Sequence, residues 1–425
     1  MVKRIISVLI AIAITVPCIT IGAEAKSKFD NKSKEALKAG MSFEDYVVSE
    51  ILDFNTGIDI AAYTAKYNWE AEEVIEKIDA IIYSYPEIFA LDNSDYECEW
   101  SEYNKDVFAI KTSYVMTEKE YKTAKKKLNA VVKEIKSLIT DSMTDAQKVL
   151  TVHDYIIANS EYGNGSDMKY TAYGCLVDKE AICQGYAQAF SYVMKELGIE
   201  CHIVRSEEMK HSWNYVKIGS KYYHVDLVYD DPSMMIDGKE KDYTGQVLHK
   251  YLLVSDKKIS ETHKNWKFYT KLKKATSTKY DNYYWASVRS QIIPVGNYFY
   301  YLSYNPEAPR ENDLNVTNLI RRSIKTNKTK TVHKILCNWM IGDTNSFYLQ
   351  TYARLSYFNG RLYYNTDKAV YSVSTSGKNL KKEFSPKLSG NSLYGSYVDS
   401  KGKLMMLYAK EQNTVEAYKK KTLSK

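Results

Sequence analysis

The chain has 425 residues, 44% of them hydrophobic, an ordinary proportion for globular folds and enough for two or three domains. Its net charge of +7 is spread along the sequence, too mild for a nucleic-acid binder. With 39 tyrosines against 7 prolines the composition points to a strand-rich structure, since tyrosine favours strands and half-buried surfaces.

Lys3 and Arg4 precede an apolar run from Ile5 to about Ile21 and the small-x-small triplet Ala23-Glu24-Ala25, so residues 1–25 read as a signal peptide. The expectation is a secreted, extracellular protein. An uncleaved membrane anchor is the alternative, because the run is nearly long enough to span a bilayer. Residues 26–105 read as a mainly helical extension. Val74, Ile78, Ile81 and Ile82 share one helix face, and the pattern stops before Tyr85-Pro86 because proline disfavours helix at the residue before it.

A strand-like stretch from Asp106 to Tyr114 opens a second domain, 106–275. Two helices follow, one from about Glu118 to Thr140 and one opened by Thr144-Asp145. The basic run Lys125-Lys126-Lys127 reads as the solvated face of the first. After loop-like residues 160–175, Ala187, Phe190, Met194 and Leu197 mark a helix that begins near Cys183 and ends at Gly198. Alternating Ile199, Cys201 and Ile203 make a strand, and His211–Ile218 and Lys221–Val228 two more around Gly219-Ser220.

Beyond about Ala275 the composition shifts to short Tyr-rich strands. Three units there begin alike, at Gly296-Asn297-Tyr298, Gly360-Arg361-Leu362 and Gly402-Lys403-Leu404. Residues 276–425 are therefore expected to form an all-β domain of degenerate propeller-like repeats, too irregular and too short for complete closure. The overall class is α+β.

Five cysteines lie outside the leader: Cys98, Cys175, Cys183, Cys201 and Cys337. An odd number outside the cell draws attention to one free thiol. Cys183 is the candidate. At a helix N-terminus the dipole favours a thiolate, and free backbone N–H groups there can hold an oxyanion. The other four could pair in three ways or stay buried and reduced. No spacing resembles a zinc site, and Asp230-Asp231-Pro232 reads as a turn or cap, so neither metal nor cofactor is expected.

If Gly219-Ser220 is a two-residue type II′ turn, Ile218 faces Lys221, Trp213 faces Asp226 and His211 faces Val228. His211 and Asp226 then become diagonal neighbours on one face, about 7–8 Å apart between backbones, within reach of an imidazole–carboxylate contact. Trp213 and His224 share that face and are the candidates to line a cleft, with packing against Tyr215 as the other reading of His224. His153 reads as a structural histidine.

Ala181-Ile182-Cys183-Gln184-Gly185-Tyr186-Ala187-Gln188-Ala189-Phe190, His211-Ser212-Trp213-Asn214 and Tyr223-His224-Val225-Asp226 together resemble the three motifs of the transglutaminase-like superfamily. The likeness extends back through His153-Asp154-Tyr155-Ile156 and Tyr173-Gly174 and forward through Tyr251-Leu252-Leu253-Val254-Ser255-Asp256. It implies a papain-like core in which Cys183 is nucleophile, His211 general base and then acid, and Asp226 the orienting carboxylate. It also implies transamidation, deamidation or peptide hydrolysis. A cysteine nucleophile passes through a thioester, and with the leader the expected substrate is an extracellular protein or cell-wall peptide. The Tyr-rich domain would pack as an accessory or hold a surface glycan or protein. A non-catalytic scaffold in a cell-surface binding protein is the alternative from another class.

Overall fold

The computed structural model describes residues 32–100, 107–236, 239–242, 244–268, 271–342, 344–410 and 415–422. The expected leader lies outside the described residues, among which no helix is long and apolar enough to cross a membrane. The chain divides into two compact units, Met1–Leu128 with Ser206–Lys210 and Asn129–Arg205 with His211–Lys425.

The first unit contains α1 (Lys32–Lys38), α2 (Phe43–Leu52), β1 (Gly57–Asp59), α3 (Ala61–Tyr67), α4 (Ala71–Ser84), β2 (Leu91–Trp100), β3 (Val107–Tyr114) and the start of α5 (Glu118–Ser137). Val74, Ile78, Ile81 and Ile82 of α4 are buried in one core with Phe43, Val47 and Ile51 of α2 and Ile110 of β3. As the proline required, α4 stops at Ser84. β1, β3 and β2 form an antiparallel sheet in that order. The reading of this stretch as helices missed β2, in which Asp, Asn, Ser and Glu fill 6 of 10 positions, so no hydrophobic period marks it.

In the second unit the end of α5 is followed by α6 (Asp145–Asn159), whose N-cap Thr144 and Gln147 exchange side-chain and backbone hydrogen bonds in a capping box. β4 (Glu161–Tyr162) and β5 (Glu180–Ala181) then flank the loop that leads to α7 (Cys183–Glu196). Gly185 to Met194 of α7 are buried on every side, so this is an interior helix and not a one-faced surface helix. It ends in a Schellman motif: Gly198 has φ +69°, its N–H donates to Lys195 O, and the Ile199 N–H donates to Met194 O. Gly185 is required by close approach, because a Cβ there would sit 2.4 Å from the Lys169 carbonyl oxygen.

Against α7 lies a five-stranded sheet. Its strands are β6 (Cys201–Ser206), β7 (His211–Ile218) and β8 (Lys221–Val225); then, after α8 (Leu227–Asp230) and the ribbon β9 (Ser233–Ile236) with β10 (Lys239–Asp242), β11 (Leu252–Val254), α9 (Asp256–Ile259) and β12 (Trp266–Lys267) follow. The order is β11-β8-β7-β6-β12. The β7–β8 hairpin has the expected register, with Ile218 opposite Lys221 and Tyr215 opposite His224. Gly219 at φ +60° is the positive-φ residue of the turn. One expectation fails: β8 stops at Val225 rather than Val228. Asp226 leaves the ladder because its carboxylate caps α8, accepting from Val228 N and Tyr229 N.

The Tyr-rich region forms three successive antiparallel sheets. The first comprises β13 (Ile293–Val295), β14 (Tyr298–Tyr304), β15 (Val316–Ser323) and β16 (Thr329–Leu336). The second comprises β17 (Leu355–Phe358), β18 (Arg361–Asn365), β19 (Val370–Ser374) and β20 (Lys381–Phe384), and the third β21 (Ser392–Val398), β22 (Lys403–Ala409) and β23 (Val415–Thr422). Gly296, Gly360 and Gly402, the glycines that opened the three similar sequence units, all stand at positive φ in the turn between the first two strands of a sheet. Tyr300, Tyr364 and Tyr394 are buried in the shared core. Among the described residues these are three separate sheets, with no closed barrel.

A buried carboxylate joins α6 to these sheets. Asp154 accepts from His153 Nδ1 at 2.9 Å, His249 Nε2 at 3.0 Å and the backbone N–H of Ile292 at 2.6 Å. On its other side His153 places Nε2 3.3 Å from Asp230 Oδ2, an ion-pair contact without hydrogen-bond geometry. Burial alone would push His153 down, but the carboxylates on both sides hold its imidazolium up to about 9, while the same histidines keep Asp154 below the usual carboxylate range against its burial. Asp154→Ala strands three donors in a dry interior and is expected to cost about 3–5 kcal/mol of folding stability, measured by denaturant unfolding. His153's contribution to stability is complete below the pH at which an unfolded histidine titrates and fades as pH rises through about 9. An unfolding midpoint that stays flat over that window in wild type would contradict the pairing.

Candidate active site

Cys183 is the first residue of α7, with Ile182 as N-cap. The loop before the helix holds it there, since the Ile182 N–H donates to Lys169 O at 3.1 Å. The first N–H groups of a helix have no carbonyl partner within it, so Cys183 stands where unpaired N–H groups and the positive end of the helix dipole lie. Cys183 is half-buried.

All five described cysteines are unpaired, which settles the choice the sequence left open. Burial pushes the Cys98, Cys175 and Cys201 thiols up to about 12, and Cys337 higher still, so these four are inert packing thiols. Cys183 alone combines partial exposure with a helix N-terminus.

His211 opens β7 and lies almost entirely buried, with Nε2 2.7 Å from Asp226 Oδ2. A carboxylate cannot donate, so Nε2 carries the proton and Nδ1 is the nitrogen left for the thiol. Burial on its own would lower the His211 pKa; the Asp226 charge and hydrogen bond, with a further hydrogen bond to Cys183, hold it up to about 10. Asp226 is fully buried and is nonetheless held well below the usual carboxylate range by His211 and by His263. Both shifts have the sign of an imidazolium–carboxylate pair.

His263 was not singled out in the sequence. Its Nε2 lies 2.8 Å from the same Asp226 Oδ2, and its Nδ1 2.9 Å from Thr262 Oγ1. The available signal was scarcity: the chain has 7 histidines, and His153, His211, His224, His249 and His263 are all buried beside a carboxylate.

Trp213 and His224, expected to line the cleft, lie under it instead, at 1% and 0% exposure. The Trp213 Nε1–H donates to His224 Nδ1 at 2.9 Å, and His224 Nε2 faces Asp256 Oδ1 at 2.9 Å. Indole only donates, so Nδ1 accepts and His224 is neutral, in keeping with the lowering that burial gives its pKa. Its ring meets Tyr215 edge-on at 4.7 Å, which is the packing role. Trp213 stacks under His211 at 5.7 Å and 20°, a face suited to an imidazolium. The aromatic at the surface of the site is Tyr229, 39% exposed, with its ring 5.1 Å from His211 and 4.4 Å from His263.

Two groups offer imidazole and carboxylate atoms within 4.8 Å of one another, His153, Asp154 and His249, and His211, Asp226 and His263. Within each, the imidazole–carboxylate contacts are at hydrogen-bond length and leave the shared oxygens occupied by protons. Asp230 and Asp231 are also committed, to Lys250 N and Tyr251 N and to the Tyr186 hydroxyl.

Residues 130–227, the stretch that carries Cys183, His211 and Asp226, match the family model described as the transglutaminase-like superfamily. Among solved structures, a TGase is similar at 12% identity with a TM-score of 0.23, covering 32% of this chain and 44% of that one. A candidate cysteine protease from Cytophaga hutchinsonii is similar at 15% identity with a TM-score of 0.20, covering 31% and 61%. The chain thus spans about half the length of these two proteins. No curated protein matches it.

Removing the Asp226 carboxylate takes away the charge that stabilises the His211 imidazolium. Asp226→Ala is expected to slow alkylation of Cys183 by iodoacetamide at pH 6 by about tenfold or more, the equivalent of one pKa unit or more. Equal rates in both proteins would show that Asp226 does not govern the pair.

Proposed function

We propose that the chain is an exported cysteine-dependent acyl-transfer enzyme, in which Cys183 is the nucleophile, His211 the general base and acid, and Asp226 the carboxylate that orients His211. The observation that carries this reading is the ordered contact Cys183–His211–Asp226, with a 2.7 Å hydrogen bond at its buried end and a helix N-terminus at the other.

The thiol proton passes to His211 Nδ1, and the resulting thiolate attacks the carbonyl carbon of a glutamine side chain or a peptide bond. Negative charge on the carbonyl oxygen is met by the N-terminal N–H groups of α7. When the tetrahedral intermediate collapses, His211 returns the proton to the departing nitrogen and an acyl-thioester remains. Water or an amine, deprotonated by His211, then takes the acyl group and restores the thiol. Asp226 stays ionised throughout and fixes the ring, so that Nε2 keeps its proton and Nδ1 does the exchange.

Export rests on the leader pattern at residues 1–25, and an extracellular protein or cell-wall peptide is the substrate class that goes with it. We read the three C-terminal sheets as degenerate propeller-like blades. Their buried tyrosines favour an accessory packing role, with a surface glycan or protein as the partner for any targeting.

Wild type and Cys183→Ala are to be incubated with a labelled amine and a casein-like acceptor, and in parallel with peptide pools. Amine incorporation identifies transamidation and new peptide ends identify hydrolysis. In either assay Cys183→Ala is expected to fall by more than about a thousandfold, as loss of a nucleophile does. Equal product from both proteins would leave a non-catalytic scaffold as the reading.

A further inference from the structure

Asp226 is shared. Its Oδ1 accepts from Val228 N at 3.0 Å and Tyr229 N at 3.1 Å, and its Oδ2 accepts from two imidazoles, His211 at 2.7 Å and His263 at 2.8 Å. The backbone pair fixes one oxygen; the oxygen that holds the His211 ring depends on His263. His263 is itself placed without freedom. It is 1% exposed, its Nδ1 is on Thr262 Oγ1, and its ring meets Trp213 edge-on at 4.8 Å and lies against Tyr229 at 4.4 Å and Tyr251 at 5.5 Å. It follows α9 in the chain, outside residues 130–227, so the superfamily match does not reach it.

We propose that His263 is a positioning residue of the site, holding the shared oxygen of Asp226 so that the buried carboxylate stays ionised and keeps the His211 ring turned toward Cys183. This rests on the function proposed above. A second donor on Oδ2 draws off part of its charge and lowers its affinity for a proton, so a proton in the pair stays on His211 and not on the carboxylate. The groups facing His263 are Asp226 as the cap of α8, Tyr229 within α8, His211 and Trp213 of β7, and Tyr251 before β11, with His224 of β8 near enough to be felt electrostatically. Asp226 is the only carboxylate among them, so loss of His263 acts through it: Asp226 takes up a proton more readily, and the acid limb of the site's activity moves to higher pH.

The test is the pH profile of Cys183 alkylation by iodoacetamide, which needs no substrate, in wild type and in the His263→Ala, His263→Gln and Asp226→Ala variants, with Cys183→Ala as the labelling control. His263→Ala is expected to move the acid limb up by about one pH unit, a tenfold slower reaction on that limb. His263→Gln, whose amide N–H₂ can still reach Oδ2, is expected to recover most of the loss, which a role in packing alone would not produce. If the His263→Ala profile superimposes on wild type while that of Asp226→Ala collapses, the inference is overturned and the proposed function stands. If wild type itself is labelled no faster than Asp226→Ala, the proposed function fails with it. Should His263→Ala not fold, the glutamine variant decides, with an acid limb near the wild-type one supporting the role and one shifted as far as that of Asp226→Ala overturning it.

Discussion

Asp226 carries a full negative charge with no surface in water, and this is tolerable only because four donors converge on it. Two are backbone N–H groups that exist because the chain turns there from strand into helix. The other two are imidazoles brought from opposite sides, one from the start of β7 and one from beyond α9. The strand ending at Val225, the cap on α8 and the burial of Trp213 beneath the site all serve the same requirement, that a charged group be dry and satisfied at once. In the function proposed for the site, the field of that carboxylate is what lets His211 take a thiol proton.

The same solution recurs at Asp154, where a fully buried carboxylate is met by two histidines and a backbone N–H. At that site the donors come from α6, from the segment before β11 and from the first strand region of the Tyr-rich sheets, so the group ties elements together and leaves no side open for chemistry. The contrast shows why burial and perturbed pKa do not by themselves mark a catalytic group. What separates the two sites is a half-buried thiol at a helix N-terminus, present at one and absent from the other.

The catalytic candidates were readable because each rests on a short-range rule. A helix face counted back to Cys183, and that helix start holds in the structure; a glycine-first turn set a register that holds from Ile218 opposite Lys221 to Asn214 opposite Val225, and stops short of His211 and Asp226. The rule failed where a longer-range term took over. Asp226 leaves the ladder to cap a helix, and that cap, together with the imidazole of a residue 37 positions on, fixes its orientation. His263 has no local pattern around it, because its partner is distant in sequence and it sits in neither a strand nor a helix. Trp213 and His224 were placed on the correct face but at the wrong depth, since alternation gives the direction of a side chain and not what covers it. β2 was missed because backbone pairing with β3, and not a hydrophobic period, makes it a strand. The Tyr-rich units were recognisable by their turn glycines, while the number of strands in each sheet depends on pairings that no local signal encodes.

The most direct measurement of the central claim is the NMR titration of the His211 ring, in wild type and in Asp226→Asn, which keeps the shape of the carboxylate and removes its charge. The account predicts that in wild type the ring stays an imidazolium through neutral pH and loses its proton only at about 10, and that Asp226→Asn brings it down toward the ordinary histidine range. A ring that already titrates in that ordinary range in wild type, and does so identically in the variant, would contradict it.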